Sequence, residues 1–127
     1  MITRVTINTW PTKTFLKRNC EAYLAQLNLS ALETAREGLL KVKEEKIFPE
    51  WRHYCGEKPR YWDVKIGNDA ITFEGGLVWR AEIEDGVLYT DGCTTRGLLL
   101  DVVGEGIRQV RALKCDKSLL HAARARL

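Results

Sequence analysis

The fold is decided by residues 61–90, YWDVKIGNDAITFEGGLVWRAEIEDGVLYT, in which apolar and polar side chains alternate along most of the stretch. Alternation with a period of two is typical of strands that bury one face. The dipeptides Asn68-Asp69, Gly75-Gly76 and Asp85-Gly86 are typical of tight turns and divide the stretch into four segments. We therefore predict an antiparallel meander of four strands.

The turns predict which residues lie opposite each other in this meander. A two-residue turn after the first strand pairs Ile66 with Ile71. A three-residue loop over residues 74–76, with a glycine at positive φ, pairs Phe73 with Leu77 in the second hairpin. One face of the meander is then apolar and is predicted to face the core; its residues are Trp62, Val64, Ile66, Ile71, Phe73, Leu77, Trp79, Ile83 and Leu88.

The opposite face of the meander mixes charged, tyrosyl and small apolar side chains, and its last turn places Glu82 opposite Tyr89. Carboxylates on such a face attract a basic partner and tyrosines supply contact area. If no helix covers this face, we expect it to bind a protein partner through Tyr61, Asp63, Arg80, Glu82, Glu84 and Tyr89. The alternative interpretation is an ordinary solvated sheet surface.

The chain before the meander predicts one strand and two helices. Residues 1–9 alternate loosely, as a half-buried strand does. Apolar residues then recur at helical spacing from Leu16 to Leu27, after a cap at Thr12 or Thr14. Ser30 and Glu33 form a capping-box pattern, which predicts a second helix over about residues 31–46.

The chain after the meander predicts a third helix that begins at a cap on Thr94 or Thr95. Its core face carries Leu99, Val103, Ile107 and Val110. Gly104 and Gly106 lie inside this pattern and predict either a break in the helix or close packing of its backbone on the sheet. A short basic helix is expected after Asp116.

Together these elements predict an α+β fold in one domain, residues 1–127. Its antiparallel sheet has four or five strands, the meander 61–90 and, as the fifth, the N-terminal strand. Two or three helices pack on one face. An exposed edge strand would also permit two copies of the chain to pair as a homodimer.

The composition is typical of a soluble globular protein, with 127 residues, 45% hydrophobic and 29% charged. The longest apolar cluster, Leu98-Leu99-Leu100, is far shorter than the ~20 residues that cross a bilayer. The N-terminus has no pattern of a targeting segment, so we expect a cytoplasmic location and no membrane partner. The four cysteines are widely spaced, and we expect reduced thiols.

The net charge of +3 is unevenly distributed. Residues 61–105 carry three basic and nine acidic side chains, whereas residues 1–60 and 106–127 are both net basic. Basic clusters of this kind bind nucleic-acid phosphates, which predicts an alternative function as a nucleic-acid-binding accessory protein. The residues of that alternative are Arg108, Arg111, Lys114, Lys117, Arg124 and Arg126.

Two patterns in the sequence resemble parts of a metal site, but neither has the full ligand set at the usual spacing. Asp63 and Lys65 have the spacing of one half of a magnesium-dependent nuclease site, for which Glu82 is the nearest second carboxylate. Four soft ligands for zinc could come from His53, Cys55, Cys115 and His121, but they lack the spacing of paired zinc ligands. We expect no catalytic residues, no metal ion and no cofactor.

The leading hypothesis is therefore a small protein-binding module without catalysis, of the inhibitor or immunity and antagonist type. It would place the acidic, aromatic sheet face on a basic protein. The nucleic-acid-binding accessory protein is the alternative, and a metal-dependent nuclease is a third hypothesis.

Overall fold

A computed structural model describes residues 2–52 and 56–115 of the chain. These residues form an α+β fold, as predicted, with six strands and three helices. A 3₁₀ turn, Pro49–Trp51, follows the second strand. In chain order the elements are β1 (Thr3–Asn8), α1 (Lys13–Gln26), α2 (Leu29–Leu40), β2 (Glu44–Ile47), β3 (Tyr61–Ile66), β4 (Ala70–Gly75), β5 (Trp79–Glu84), β6 (Val87–Thr90) and α3 (Arg96–Ala112).

The strands form one mixed sheet in the order β1-β3-β4-β5-β6-β2. All neighbours are antiparallel except β2, which lies parallel to β6. The predicted meander and the N-terminal strand are therefore confirmed. The sheet was predicted to be purely antiparallel with four or five strands, whereas the observed sheet has a sixth strand, β2, that is parallel to β6. The second helix ends at Leu40, not near Lys46, and Glu44–Ile47 pairs with β6 as strand β2.

The register of the first hairpin is as predicted, with Ile66 opposite Ile71. The second hairpin differs from the prediction. Phe73 lies opposite Ala81, and the three-residue loop is residues 76–78. Leu77, which the predicted register placed in the core, is therefore fully exposed at the loop tip.

The physical reason for this shifted loop is the tight packing of Gly75. A Cβ atom at that position would lie 2.6 Å from the Pro59 side chain and 2.8 Å from the Trp62 ring. Gly75 therefore belongs in the strand, opposite Trp79, and Gly76 takes the positive φ of the loop at +58°. Val78 is part of the same exposed loop.

Side chains cap all three helices, and two of the caps are among those predicted. Thr12 caps α1 and Thr95 caps α3. In α2, however, the Asn28 side chain accepts the Ala31 N–H at 3.0 Å, so the predicted cap at Ser30 is wrong. Both residue types serve as caps, and the local pattern alone does not choose between them.

Helix α3 continues without a break through its two glycines. A Cβ on Gly106 would lie 3.1 Å from Ile7 Cδ1, whereas nothing lies within 4 Å of one on Gly104. Of the two predicted alternatives, close packing on the sheet is therefore correct, and Gly106 is the residue that provides it.

Helices α2 and α3 pack on the face of the sheet that we call the inner face. The Cβ position of Gly38 lies against Ile71 and Ile83, while Gly106 lies against Ile7 and Leu32. Among the largest fully buried side chains are Trp62, Phe73, Ile7, Leu32, Leu39, Leu88 and Leu99. The predicted core face of the meander is thus confirmed except at Leu77.

Helix α1 lies along the edge of the sheet at β1, and its side chains bind the backbone of that strand. Gln26 makes two hydrogen bonds with Thr6, and the Tyr23 hydroxyl contacts both backbone groups of Asn8. The buried Gln109 of α3 donates to the Asn8 carbonyl and is also hydrogen-bonded to Tyr23. Burial raises the pKa of the Tyr23 hydroxyl.

A disulfide joins Cys20 in α1 to Cys115, which follows α3. Cys93 is disulfide-bonded as well. The prediction of reduced thiols is therefore wrong for these three residues. Widely spaced cysteines gave no sign of this, because residues 95 positions apart meet only in the folded chain. The predicted helix after Asp116 lies outside the described residues.

Candidate protein-binding surface

The six residues of the predicted binding surface all lie on one face of the sheet, which we call the outer face. In the observed register Asp63 is opposite Glu74, and Glu82 is opposite Tyr89. These side chains alternate with inner-face residues along each strand. Helices α2 and α3 lie on the other side, so neither covers the outer face.

The charges on the β1–β3–β4 half of the outer face are paired with one another. Asp63 accepts from Arg4 Nη2 at 2.9 Å and from Thr6 Oγ1 at 2.6 Å. Burial alone would raise the pKa of Asp63, but these hydrogen bonds and the nearby cations hold it below its usual value. Lys65 Nζ lies 3.9 Å from Glu74 Oε1. This half of the face therefore offers little uncompensated charge.

The β5–β6 half carries two carboxylates that have no counter-ion among residues 2–52 and 56–115. Glu82 is partly buried between Thr72 and Tyr89, and Glu84 is exposed opposite Val87. The half-buried ring of Tyr89 provides apolar area directly beside Glu82. The combination of open negative charge and an adjacent aromatic ring fits a basic partner.

Arg80, at the start of β5, is held in place by its neighbours. Its guanidinium carbon lies 4.3 Å from the centroid of the Trp51 ring, and Trp51 in turn contacts Phe48. The Arg80 backbone N–H donates to the Asp91 carboxylate at 2.8 Å. The sequence prediction missed Trp51, because it belongs to the irregular segment after β2. The aromatic pair in Phe48-Pro49-Glu50-Trp51 was its only signal.

Tyr61 lies at the start of β3, at the same end of the sheet as Arg80 but two strands away, and α1 reaches it. Its side chain is 48% exposed, and the Phe15 ring meets it edge to face at 6.5 Å. Between α1 and the sheet, an open groove is lined by these two rings together with Arg4, Thr6, Asn19, Ala22, Tyr23 and Gln26. The six predicted residues therefore form two groups, Tyr61 and Asp63 on β3 and the other four on β5 and β6, with β4 between them.

The loop after β6 uses its own donors, so it does not form the anion site that its glycine and its helix start could suggest. The Asp91 carboxylate accepts from the backbone N–H groups of Cys93 and Thr94 and from the Thr94 hydroxyl. Burial alone would raise the pKa of Asp91, but the hydrogen bonds from Arg80, Thr94 and Cys93 lower it. Asp91 thus organises the turn that leads into α3.

The residues of the nuclease hypothesis are separated by a strand. Asp63 is on β3 and Glu82 is on β5, with β4 between them. The Asp63 oxygens are occupied by Arg4 and Thr6. Within the described ranges no group of three histidine, cysteine or acidic side chains is placed to hold a metal ion.

The zinc hypothesis loses one of its four ligands. Cys115 is in a disulfide with Cys20, so its sulfur is not available as a thiolate. His53, Cys55 and His121 lie outside the described residues. The four-ligand arrangement that the sequence left open is therefore not possible with Cys115 in this bond.

The cations of the nucleic-acid hypothesis are partly neutralised where the structure describes them. Arg108 binds both oxygens of Glu105, at 2.9 and 2.6 Å, and Arg111 lies 3.6 Å from Glu33. Lys114 is exposed beyond the end of α3. The remaining three, Lys117, Arg124 and Arg126, lie outside the described residues. Nucleic-acid binding stays a prediction.

Comparison of the chain with protein-family models, with curated proteins and with solved structures found no match. In the part of the chain that the structure describes, no helix has the length and apolar character needed to cross a membrane. The function must therefore be inferred from the surface itself.

Proposed function

We propose that this chain is a small protein-binding module without catalysis, which places the outer face of its sheet on a basic protein partner. The observation that carries the proposal is the pair Glu82 and Glu84, which has no counter-ion among the described residues and lies beside Tyr89. Carboxylates that are open to solvent accelerate the encounter with a basic partner, and the aromatic ring supplies buried area in the complex.

The scaffold beneath this surface suits such a role. Glu82 and Glu84 both belong to β5, a strand in the middle of the sheet whose other side is fixed in the core by Trp79, Ala81 and Ile83. Rigid side-chain positions reduce the entropy lost on binding. An inhibitor, immunity or antagonist protein is the type of module that this arrangement suits.

The location of the protein stays a prediction. We expected the cytoplasm from the sequence, yet the Cys20–Cys115 disulfide is more typical of proteins that fold in an oxidising compartment.

The test of the proposed function is charge reversal with a matched control. The variant Glu82→Lys/Glu84→Lys should keep the fold, since both side chains lie on the outer face away from the core, but should lose the captured partner in affinity purification from source cells. Glu21→Lys/Glu37→Lys makes the same change in charge on exposed helix positions and should retain that partner. Retention of the same protein by both variants would contradict the proposal.

A further inference from the structure

Most of the exposed apolar surface of the described chain lies at one end of the sheet. Strands β1, β4, β6 and β2 finish at this end, and β3 and β5 begin there. Of the eight large apolar side chains that are exposed in the described ranges, six belong to the loops and strand ends at this end. We call this surface the apolar end; its residues are Trp10, Ile47, Phe48, Tyr61, Leu77 and Val78.

Backbone hydrogen bonds hold these loops against one another. The Thr9 N–H donates to the Arg60 carbonyl at 2.7 Å, and the Gly76 N–H donates to the Tyr61 carbonyl at 3.3 Å. The loop after β1 and the loop between β4 and β5 therefore flank the start of β3 on its two sides. Trp10, Tyr61, Leu77 and Val78 therefore belong to neighbouring parts of this end, whereas Ile47 and Phe48 lie at the opposite edge of the sheet, beyond β6.

The apolar side chains at this end project into solvent. Leu77 is fully exposed at the tip of its three-residue loop, Val78 beside it is 55% exposed, and Trp10 is 74% exposed. Exposed apolar surface that is gathered in one region marks a contact with a protein or with a membrane. Tryptophan and tyrosine are enriched at the membrane–water interface, where a ring can keep one polar edge in water.

Two cations lie beside Leu77 and Val78. Lys58 and Arg60 line the same shallow groove as Leu77 and Val78, and neither forms an ion pair within the described residues. Further basic side chains, Lys13 and Arg52, begin or end the neighbouring elements. The acidic residues nearby are Glu50 and Glu57, and Asp101 and Glu105 of α3 line a second groove together with Lys58. In the groove beside Leu77 and Val78 the two cations outnumber the one carboxylate, Glu57, so this tip is net basic and complementary to an anionic surface.

We propose that the apolar end docks on the surface of an anionic lipid bilayer, with Leu77 and Val78 inserted among the head groups and Lys58 and Arg60 on lipid phosphates or carboxylates. The aliphatic tip favours lipid over nucleic acid, whose bases stack on aromatic rings instead. Docking of this kind needs no membrane-spanning helix. It departs from the expectation of no membrane partner, which was based on the short apolar runs and on the N-terminal sequence, not on the exposed surface.

The test is cosedimentation of the full chain with vesicles of phosphatidylcholine and phosphatidylserine, and with vesicles of phosphatidylcholine alone. We expect binding to the anionic vesicles that weakens as salt is added. Leu77→Ser/Val78→Ser should reduce this binding about tenfold or more, because the inserted apolar area is lost. Lys58→Glu/Arg60→Glu should reduce it by about as much through charge.

Two matched variants control for nonspecific effects of these changes. Leu40→Ser removes an exposed leucine from α2, and Arg36→Glu/Lys41→Glu reverses two exposed charges, one on the same helix and one at its C-cap. Both should bind anionic vesicles as the unsubstituted chain does. A blue shift of tryptophan emission on vesicle addition, lost in Trp10→Phe, would show that the Trp10 ring enters the interface.

The proposal is independent of the protein partner proposed above, since the vesicles contain lipid only. It is wrong if the unsubstituted chain does not bind anionic vesicles at low salt, or if the four variants and the unsubstituted chain all bind equally. It is also wrong if the chain ignores vesicles but retains a labelled thymidine oligonucleotide that Lys58→Glu/Arg60→Glu no longer binds, because the apolar end would then be a nucleic-acid site.

Discussion

The side chain of Gln26 hydrogen-bonds both backbone groups of Thr6, as a neighbouring strand would. Its carboxamide oxygen accepts the Thr6 N–H at 3.0 Å, and its nitrogen donates to the Thr6 carbonyl at 2.7 Å. Two residues further along β1, the Tyr23 hydroxyl accepts the Asn8 N–H at 3.0 Å and donates to the Asn8 carbonyl at 3.2 Å. Exposed strand edges invite pairing with other chains, and here helix α1 occupies much of the edge of β1.

Gln26→Leu removes both of these hydrogen bonds while keeping a side chain of similar length. The free energy of unfolding should fall by about 1–3 kcal/mol, because the two Thr6 groups are partly buried and lose their partner. Urea denaturation followed by circular dichroism measures the change. Lys17→Leu, an exposed position of the same helix, is the control and should alter stability by less than about 0.5 kcal/mol.

Removal of the Cys20–Cys115 disulfide should lower the free energy of unfolding by about 4–5 kcal/mol in the loop-entropy estimate. That estimate follows from the sequence separation of 95 residues, which the bond closes into a loop. Cys20→Ser/Cys115→Ser isolates this bond, whereas a reductant would act on Cys93 as well. Identical denaturation midpoints for the variant and the oxidised chain would show that the bond does not form in solution.

Asp91 should contribute to stability in a pH-dependent way. Its folded-state pKa lies below the usual 3.8, so the unfolded chain binds the proton more readily. The contribution is therefore complete above about pH 4 and is lost as the pH falls through the folded-state pKa.

Asp91→Asn should cost about 2–4 kcal/mol at neutral pH, because one acceptor oxygen is lost from a buried cluster of hydrogen bonds. Urea denaturation of the variant and the unsubstituted chain at a series of pH values measures this cost, which should shrink in acid. Asp85→Asn is the control, since Asp85 is exposed and asparagine tolerates its φ of 51°. A cost that stays constant with pH would contradict the assignment.

The two glycines of α3 should respond to alanine in opposite directions. Gly104→Ala has open space around the new Cβ and should raise the free energy of unfolding by about 1 kcal/mol through helix propensity. Gly106→Ala meets Ile7 at 3.1 Å and should lower it by about 1 kcal/mol, because overpacking outweighs the same gain. Thermal denaturation of both variants measures the two effects. Melting-temperature shifts of equal sign and size would contradict the close packing of Gly106 on Ile7.

The shifted loop of the second hairpin can be tested by comparing two apolar residues. Leu77→Ser should leave the free energy of unfolding within about 0.5 kcal/mol of the unsubstituted value, because the side chain is fully exposed. Phe73→Ala should cost about 3–5 kcal/mol, since its ring is fully buried. A large loss for Leu77→Ser would favour the register predicted from the sequence.

The meander could be predicted from the sequence because its alternation and its turns agree. The second hairpin shows the limit of that reasoning. The predicted and observed pairings of Phe73, with Leu77 or with Ala81, differ by an even number of residues, so both put the same face of each strand on the core. The choice depends on Gly75, which packs against Trp62 and Pro59. Such a contact is not visible as a local pattern.

Strand β2 could not be predicted for a related reason. Glu44–Ile47 has three charged residues, all four side chains are exposed, and the segment continues the helical spacing of α2. Its strand conformation comes from backbone pairing with β6, a partner some forty residues away. The outer face could be assigned from the register, but the stacking of Trp51 on Arg80 arises from a segment without periodicity.

The Cys20–Cys115 bond closes residues 20–115 into a covalent ring. A single protease cut within residues 21–114 would therefore open the ring without releasing a fragment. Nicked molecules should migrate as one species on a nonreducing gel and separate into two chains only after reduction. Five of the six strands lie inside that ring and β1 is joined to it through α1, so the outer face and the apolar end would remain on one covalent molecule after such a cut.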